Sequence, residues 1–204
     1  MQGKLLILSA PSGAGKTSLS RALIEATPDT KMSVSHTTRA CRVGEKHEVD
    51  YFFIDHVEFQ RMIEADEFLE YAQVYDQFYG TGRESVKKML DNGLNVLLDV
   101  DWQGARQVKK LMSEAISVSI LPPSREELEK RLYDRGRDPA DVIEKRMQQA
   151  ESEMSHCREA DYIILNDDFD LALQDLRYVM QGQADKVREL SIDIESLLEP
   201  VVIN

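Results

Sequence analysis

A run near the start of the chain, Ser9-Ala10-Pro11-Ser12-Gly13-Ala14-Gly15-Lys16-Thr17, has the residue types and order that hold a phosphate chain. Gly13 and Gly15 let the backbone turn tightly. Successive N–H groups can then converge on phosphate oxygens at the positive end of a helix that begins near Thr17. Lys16 brings a full charge to the β and γ phosphates, and the Thr17 hydroxyl suits Mg²⁺, the usual companion of a nucleoside triphosphate in such a loop. The first position of the G-x-x-x-x-G-K-[ST] pattern is Ala10, a small residue that the turn tolerates. Ala10, Pro11, Ser12, Gly13, Ala14, Gly15, Lys16 and Thr17 are therefore the candidate phosphate-binding residues. A phosphate cradle alone does not separate a GTPase, an ATPase, a motor and a small-molecule kinase.

Two further groups of residues carry concentrated positive charge. Arg39 and Arg42 stand three apart in Ser33-Val34-Ser35-His36-Thr37-Thr38-Arg39-Ala40-Cys41-Arg42, and two guanidinium forks suit a phosphate monoester. Arg131, Arg135, Arg137 and Arg146 are interleaved with Gly136 and Pro139, although Glu127 could pair with Arg131 across one helical turn. These clusters sit in a chain of 204 residues with 25 Lys and Arg against 37 Asp and Glu, a net charge of -12. Such a surface repels nucleic acid and anionic membrane, so any anionic ligand needs a local basic pocket. The four histidines, His36, His47, His56 and His156, show no metal-ligand spacing. Cys41 and Cys157 form no C-x-x-C pair, which fits a reducing, cytoplasmic setting, and the apolar run Leu5 to Leu8 is too short for a signal or a membrane span.

The elements that position these residues read as α/β. Apolar runs at 4–8, 94–98, 116–121 and 162–165 look like buried parallel strands. Helical spacing appears between them at 17–26, 84–92, 105–112, 124–133 and 140–156. Two stretches break the rhythm. The first, about 33–82, contains a strand at Tyr51 to Ile54 and a helix at Val57 to Ala65 with Phe59, Met62 and Ile63 on one face, so it reads as a small α+β lobe. The second, about 132–144, is the arginine-rich loop. Leu173, Leu176, Met180, Val187, Leu190, Ile194 and Leu197 recur at roughly helical spacing, which predicts a C-terminal helix docked on the core.

Downstream motifs then run in order: S-x-T-T-R, G-E-x(5)-Y ending at Tyr51, Y-G-T at Tyr79 to Thr81, D-x-D-x-Q-G from Asp99, R-x-x-x-R-G from Arg131, and N-D-D from Asn166. With the phosphate loop, this set covers nearly the whole chain and resembles the guanylate kinase family of nucleoside monophosphate kinases. The resemblance implies a parallel-sheet P-loop core flanked by helices (1–32, 83–124, 151–204), a GMP-binding lobe (33–82) and a short helical lid (125–150). It implies that Ser35, Arg39, Arg42, Tyr51, Glu70, Tyr79, Thr81 and Asp101 bind GMP. It also implies that Arg131, Arg135, Arg137 and Asn166 join the phosphate loop around ATP. Lys16, Arg39, Arg135 and Arg146 would be catalytic, and Mg²⁺ would sit on Thr17 with Asp99 as a second candidate ligand.

The chemistry of those residues agrees. Guanine offers N1–H and N2–H₂ donors that carboxylates such as Glu70 and Asp101 can accept. Phosphoryl transfer needs alignment and charge neutralisation, and the anionic GMP phosphate needs no general base. Two departures from the family pattern are Cys41, where proline is common, and Glu48, where glycine is common. Two rivals stand beside this reading. Asp101-Trp102-Gln103-Gly104 also reads as a GTPase D-x-x-G loop, though no [NT]-K-x-D motif follows. Kinase-like domains without catalysis serve as binding modules, though those typically lack an intact phosphate loop or lid arginines. Monomer and homo-oligomer are both left open.

Overall fold

The computed structural model describes residues 3–74, 76–134 and 139–198. Along the chain come β1 (Leu5–Ser9), α1 (Lys16–Ala26), β2 (Thr30–Met32), β3 (His36–Thr37), β4 (Phe52–Phe53), α2 (His56–Glu64), β5 (Phe68–Val74), β6 (Gln77–Gly82) and α3 (Arg83–Asp91). They are followed by β7 (Asn95–Asp99), α4 (Trp102–Leu111), β8 (Ile116–Leu121), α5 (Arg125–Asp134), α6 (Ala140–Ser155), β9 (Tyr162–Leu165), α7 (Phe169–Gln181) and α8 (Ile194–Leu198). The α/β alternation and the four long apolar strands stand where the sequence pattern put them. One sheet has the strand order β2-β7-β1-β8-β9 and a second has β4-β3-β6-β5. No helix among the described residues is long and apolar enough to cross a membrane.

The chain falls into two compact units, Met1–Leu6 with Asp29–Ala115, and Ile7–Pro28 with Ile116–Asn204. In the first unit β2 pairs in parallel with β7, Thr30 opposite Asn95. The second sheet also belongs to this unit, and its two faces differ in chemistry. On one face Phe68 and Phe78 stack on Phe59 of α2, with ring centroids 4.6 and 5.3 Å apart, so the apolar stripe predicted for this helix is buried against aromatic rings. The Asp55 side chain starts α2 by accepting from the Glu58 N–H at 2.8 Å. The strand expected over Tyr51 to Ile54 is shorter than its apolar run: Phe52 and Phe53 pair with His36 and Thr37, while Tyr51 makes an isolated bridge with His47.

In the second unit β8 and β9 pair in parallel from Val118 opposite Tyr162 to Leu121 opposite Leu165. Asp161 staples their entry by accepting from the Ser117 N–H and hydroxyl, both at 2.8 Å. A cluster of Leu121, Leu128, Met154, Cys157, Leu165 and Leu197 forms a core beneath α5, α6 and α8. The C-terminal periodicity predicted one helix; the structure divides it. Gly182 adopts φ 73, its N–H caps the end of α7, and a 3-10 turn over Ala184–Lys186 precedes α8. A left-handed glycine satisfies the last carbonyls of a helix and stops it, whatever the hydrophobic spacing beyond.

His36 is packed between Phe52 and Phe68, and its buried Nδ1 has no hydrogen-bond partner. Burial lowers its pKa from the ordinary 6.5. A lowered native value means that the unfolded chain binds the proton first, so this contribution to stability is complete above pH 6.5 and is lost as pH falls toward the native value. The melting temperature should therefore drop between pH 7.5 and 5 more steeply in the wild type than in His36→Phe. Equal slopes in calorimetric scans would refute this.

Candidate active site

The turn after β1 is built from two left-handed glycines, Gly13 at φ 99 and Gly15 at φ 94. A Cβ on Gly15 would lie 2.4 Å from Nδ2 of Asn166, and one on Gly13 would lie 2.8 Å from Cδ1 of Leu128. Glycine is required here by backbone conformation and by space alike. Helix α1 then begins at Lys16 with no side-chain cap and no acidic residue in its first turn, which leaves its leading N–H groups to an anion. The Ala14 N–H bonds the Pro11 carbonyl at 3.0 Å, closing the turn. Thr17 is exposed on the first turn of the helix.

Around this turn lies an open cleft of about 400 Å³ lined by Gly13, Gly15, Ser18, Arg131, Asp134, Asn166, Asp167 and Phe169. Asn166, buried at the end of β9, donates to the Ala14 carbonyl at 2.6 Å and so ties the strand end to the phosphate loop. Arg131 donates to Glu127 at 2.9 Å, the pairing that the helical spacing allowed, and also to the Asn166 carbonyl at 3.2 Å. Arg146 of α6 donates to the Ser12 hydroxyl at 2.9 Å, which brings a guanidinium to the phosphate loop. Arg135 and Arg137 lie outside the described residues. The Asp168 carboxylate caps α7 by accepting from the Leu171 N–H at 3.0 Å.

In the other unit the antiparallel registers align a polar face. His36 opposes Gly80, Thr37 opposes Tyr79, and Glu70 opposes Thr81. Alternation along the strands then puts Ser35, Thr37, Tyr79, Thr81 and Glu70 on one side. A register shift between Phe68 and Glu70 is what allows it: the extra residue turns Phe68 to the aromatic face and Glu70 to the polar one. Glu70 is buried and accepts from the Thr81 hydroxyl at 2.5 Å. Asp101 caps α4 by accepting from the Gly104 N–H at 2.8 Å. A Cβ on Gly104 would stand 3.2 Å from Oε2 of Glu70 and 3.5 Å from Oδ1 of Asp101, so both carboxylates converge on this glycine. Burial first, with the charge of Asp101, raises the Glu70 pKa from its ordinary value against the opposing Thr81 hydrogen bond.

Arg39 is the best-held cation of this face. Both its Nη atoms donate to Glu45, at 3.0 and 2.8 Å, Nη1 also donates to the Ala40 carbonyl at 2.8 Å, and the guanidinium lies 5.4 Å from the Tyr51 ring centroid. The Tyr51 and Tyr79 rings meet at 6.0 Å. Burial, then Tyr79, pushes the Tyr51 phenol up, which keeps it a donor. Arg42 is exposed, and its N–H binds Glu45 at 2.8 Å. Asp99, at the end of β7, is exposed.

Sequence reasoning quoted Glu45 within a motif without giving it a task; a carboxylate six residues after Arg39 was the available signal. Asp167 stands in the N-D-D motif and lines the cleft beside Asn166, whereas Ser18, Asp134 and Phe169 carried no signal. The two departures are local. The Cys41 thiol donates to the Glu45 carbonyl at 3.4 Å, and Glu48 adopts φ 67. A non-glycine residue in that region costs about 1 kcal/mol, which accounts for glycine as the common occupant.

A sequence model of the guanylate kinase family matches residues 2–183. The guanylate kinase of Escherichia coli strain K12 is 54% identical over 184 residues, 89% of each chain. That of Pseudoalteromonas translucida is 49% identical over 201 residues, 98% of each chain. The crystal structure of guanylate kinase from Anaplasma phagocytophilum matches with a TM-score of 0.70 and 35% identity, over 91% of this chain and 88% of that one.

Replacing Gly15 by alanine should disrupt the cradle, because the methyl group collides with Asn166 and the backbone resists φ 94. Calorimetric titration with ATP and Mg²⁺ should show affinity lowered about a hundredfold in a folded Gly15→Ala protein. Wild-type affinity would contradict the geometry.

Proposed function

The chain belongs to the guanylate kinase family and transfers the γ-phosphoryl group of ATP to GMP in purine nucleotide metabolism, and we propose that its phosphate loop holds ATP while the polar face of the small sheet holds GMP. The observation that carries the second assignment is the convergence of Glu70 and Asp101 beside Gly104. Guanine N1–H and N2–H₂ are paired donors that two adjacent acceptors match, whereas adenine leaves a carboxylate unpaired. Ser35 and Thr81 add hydroxyls on the same face. Arg39, Arg42, Tyr51 and Tyr79 take the GMP phosphate, with Glu45 presenting Arg39 as a rigid fork.

On the ATP side, backbone N–H groups of residues 13–17 and the Lys16 ammonium hold the phosphates, and Ala10, Pro11 and Ser12 shape the turn. Asn166 and Arg131 flank the nucleobase end of the cleft. Arg146, already at Ser12, neutralises charge on the moving phosphoryl group, and Arg135 and Arg137 are assigned to the same lid. The exposed Thr17 hydroxyl is a hard oxygen that suits Mg²⁺, with Asp99 as a second candidate. Among the described residues no group of three or more His, Cys, Asp or Glu could hold a metal, a donor set that suits a cation carried largely by nucleotide phosphates and water. Magnesium supplies charge neutralisation at the β and γ oxygens when bound. The free thiols Cys41 and Cys157 suit a cytoplasmic enzyme.

ADP formation from ATP and Mg²⁺, followed with GMP, AMP, UMP or no acceptor, should proceed only with GMP and be lost in Lys16→Ala and Arg39→Ala. Undiminished turnover in Arg39→Ala would remove the phosphate assignment. The raised Glu70 pKa yields a second expectation. Free Glu70 holds its proton to higher pH than an ordinary carboxylate, and guanine N–H donors demand the ionised form, so KM for GMP should fall as pH rises from 5. In Glu70→Gln this KM should be higher, about tenfold or more, with a shallower pH dependence; the titration of GMP itself is common to both enzymes. Parallel profiles would exclude Glu70 from the guanine site.

A further inference from the structure

Residue 183 ends the family match, yet a side chain beyond it bonds Asp167, one of the residues that line the cleft. We infer that Arg188, anchored on Asp175, is a positioning residue for the nucleobase end of the ATP site; the inference rests on the reading of the cleft around Asn166 as that site.

Asp175 lies in α7 and is 3% exposed. A carboxylate so buried needs a partner for each oxygen. Arg188 supplies both: its backbone N–H donates to Oδ1 at 3.1 Å and its Nε to Oδ2 at 2.7 Å. Main chain and side chain of Arg188 are thus fixed by one acid. The two remaining nitrogens face the strand-end turn. Nη1 donates to Oδ1 of Asp167 at 3.2 Å, and Nη2 donates to the Leu165 carbonyl at 3.2 Å. These acceptors flank Asn166, the residue that ties β9 to the Ala14 carbonyl. Asp167 feels the clamp electrically: burial opposes its ionisation, but hydrogen bonds from the Asp168 N–H and Arg188 outweigh it and lower its pKa.

The guanidinium therefore grips the turn on both sides of Asn166, and Asn166 and Asp167 both line the cleft. Planar geometry matters, because one rigid fork spans three acceptors on Asp175, Asp167 and Leu165; an ammonium can replace the charge but not the span. Freed of the fork, the turn no longer presents Asn166 and Asp167 in one orientation to a base. The phosphate loop, with its own closed turn, keeps its grip on a phosphate chain.

The base and the phosphates separate the effects. Removing the Arg188 side chain altogether strands a buried charge and risks the fold, so the test uses Arg188→Lys, which keeps a cation on Asp175, and the double variant Arg188→Met with Asp175→Leu, which replaces the pair by apolar groups. In the full-length enzyme each should melt near the wild type and raise KM for ATP about tenfold. KM for GMP should stay within about twofold, and so should the inhibition constant of inorganic triphosphate, which has no base. Unchanged KM for ATP in both folded variants would overturn the inference, as would an equal weakening toward ATP, triphosphate and GMP with a lowered melting temperature. A wild type that binds ATP no more tightly than triphosphate would instead overturn the reading of the cleft, and the inference with it.

Discussion

Asn166 and Gly15 cannot be considered apart. The Asn166 amide donates to the Ala14 carbonyl at 2.6 Å, and it occupies the space a side chain at residue 15 would need. A polyphosphate is held by backbone N–H groups only if the chain turns through conformations that side chains resist, and such a turn must be braced from outside because it has few contacts of its own. The end of β9 supplies the brace. Arg131 holds the Asn166 carbonyl, so the brace on the Ala14 carbonyl draws on residues distant from the phosphate loop in the chain.

The small sheet of the first unit meets a related demand by dividing into two chemistries. Its aromatic face, closed by Phe59, Phe68 and Phe78, supplies the burial that a small sheet needs. Its polar face carries the hydroxyls, carboxylate and tyrosine assigned to GMP. A single register shift after Phe68 keeps these separate; without it Glu70 would follow Phe68 into the rings. The burial that raises the Glu70 pKa also makes the carboxylate exacting, since an acceptor shielded from water must find a donor.

Charge follows the same logic. In a chain of net charge -12 three of the guanidinium groups discussed above are held by carboxylates: Arg39 by Glu45, Arg131 by Glu127, Arg188 by Asp175. Each pair fixes the orientation of its guanidinium, and the buried Asp175 in addition needs its partner for stability. Each fork retains a direction that a freely rotating side chain would lack.

The sequence by itself determined the α/β class and the phosphate loop and pointed to most of the residues assembled on the polar face, because strand and helix periods, Gly-x-Gly-Lys-Thr and the ordered motifs are local signals. Arg39, Glu70 and Tyr79 were legible in that way. The register shift that aims Glu70, the break at Gly182 that divides the C-terminal helical pattern, and the left-handed Glu48 were decided only by tertiary structure, since each is a backbone conformation that neighbours impose. The clamp of Arg188 on Asp175, Asp167 and Leu165 belongs to the same class. Its partners are separated along the chain by a helix and a turn, and a hydrogen bond between such groups has no period, spacing or composition from which to be read.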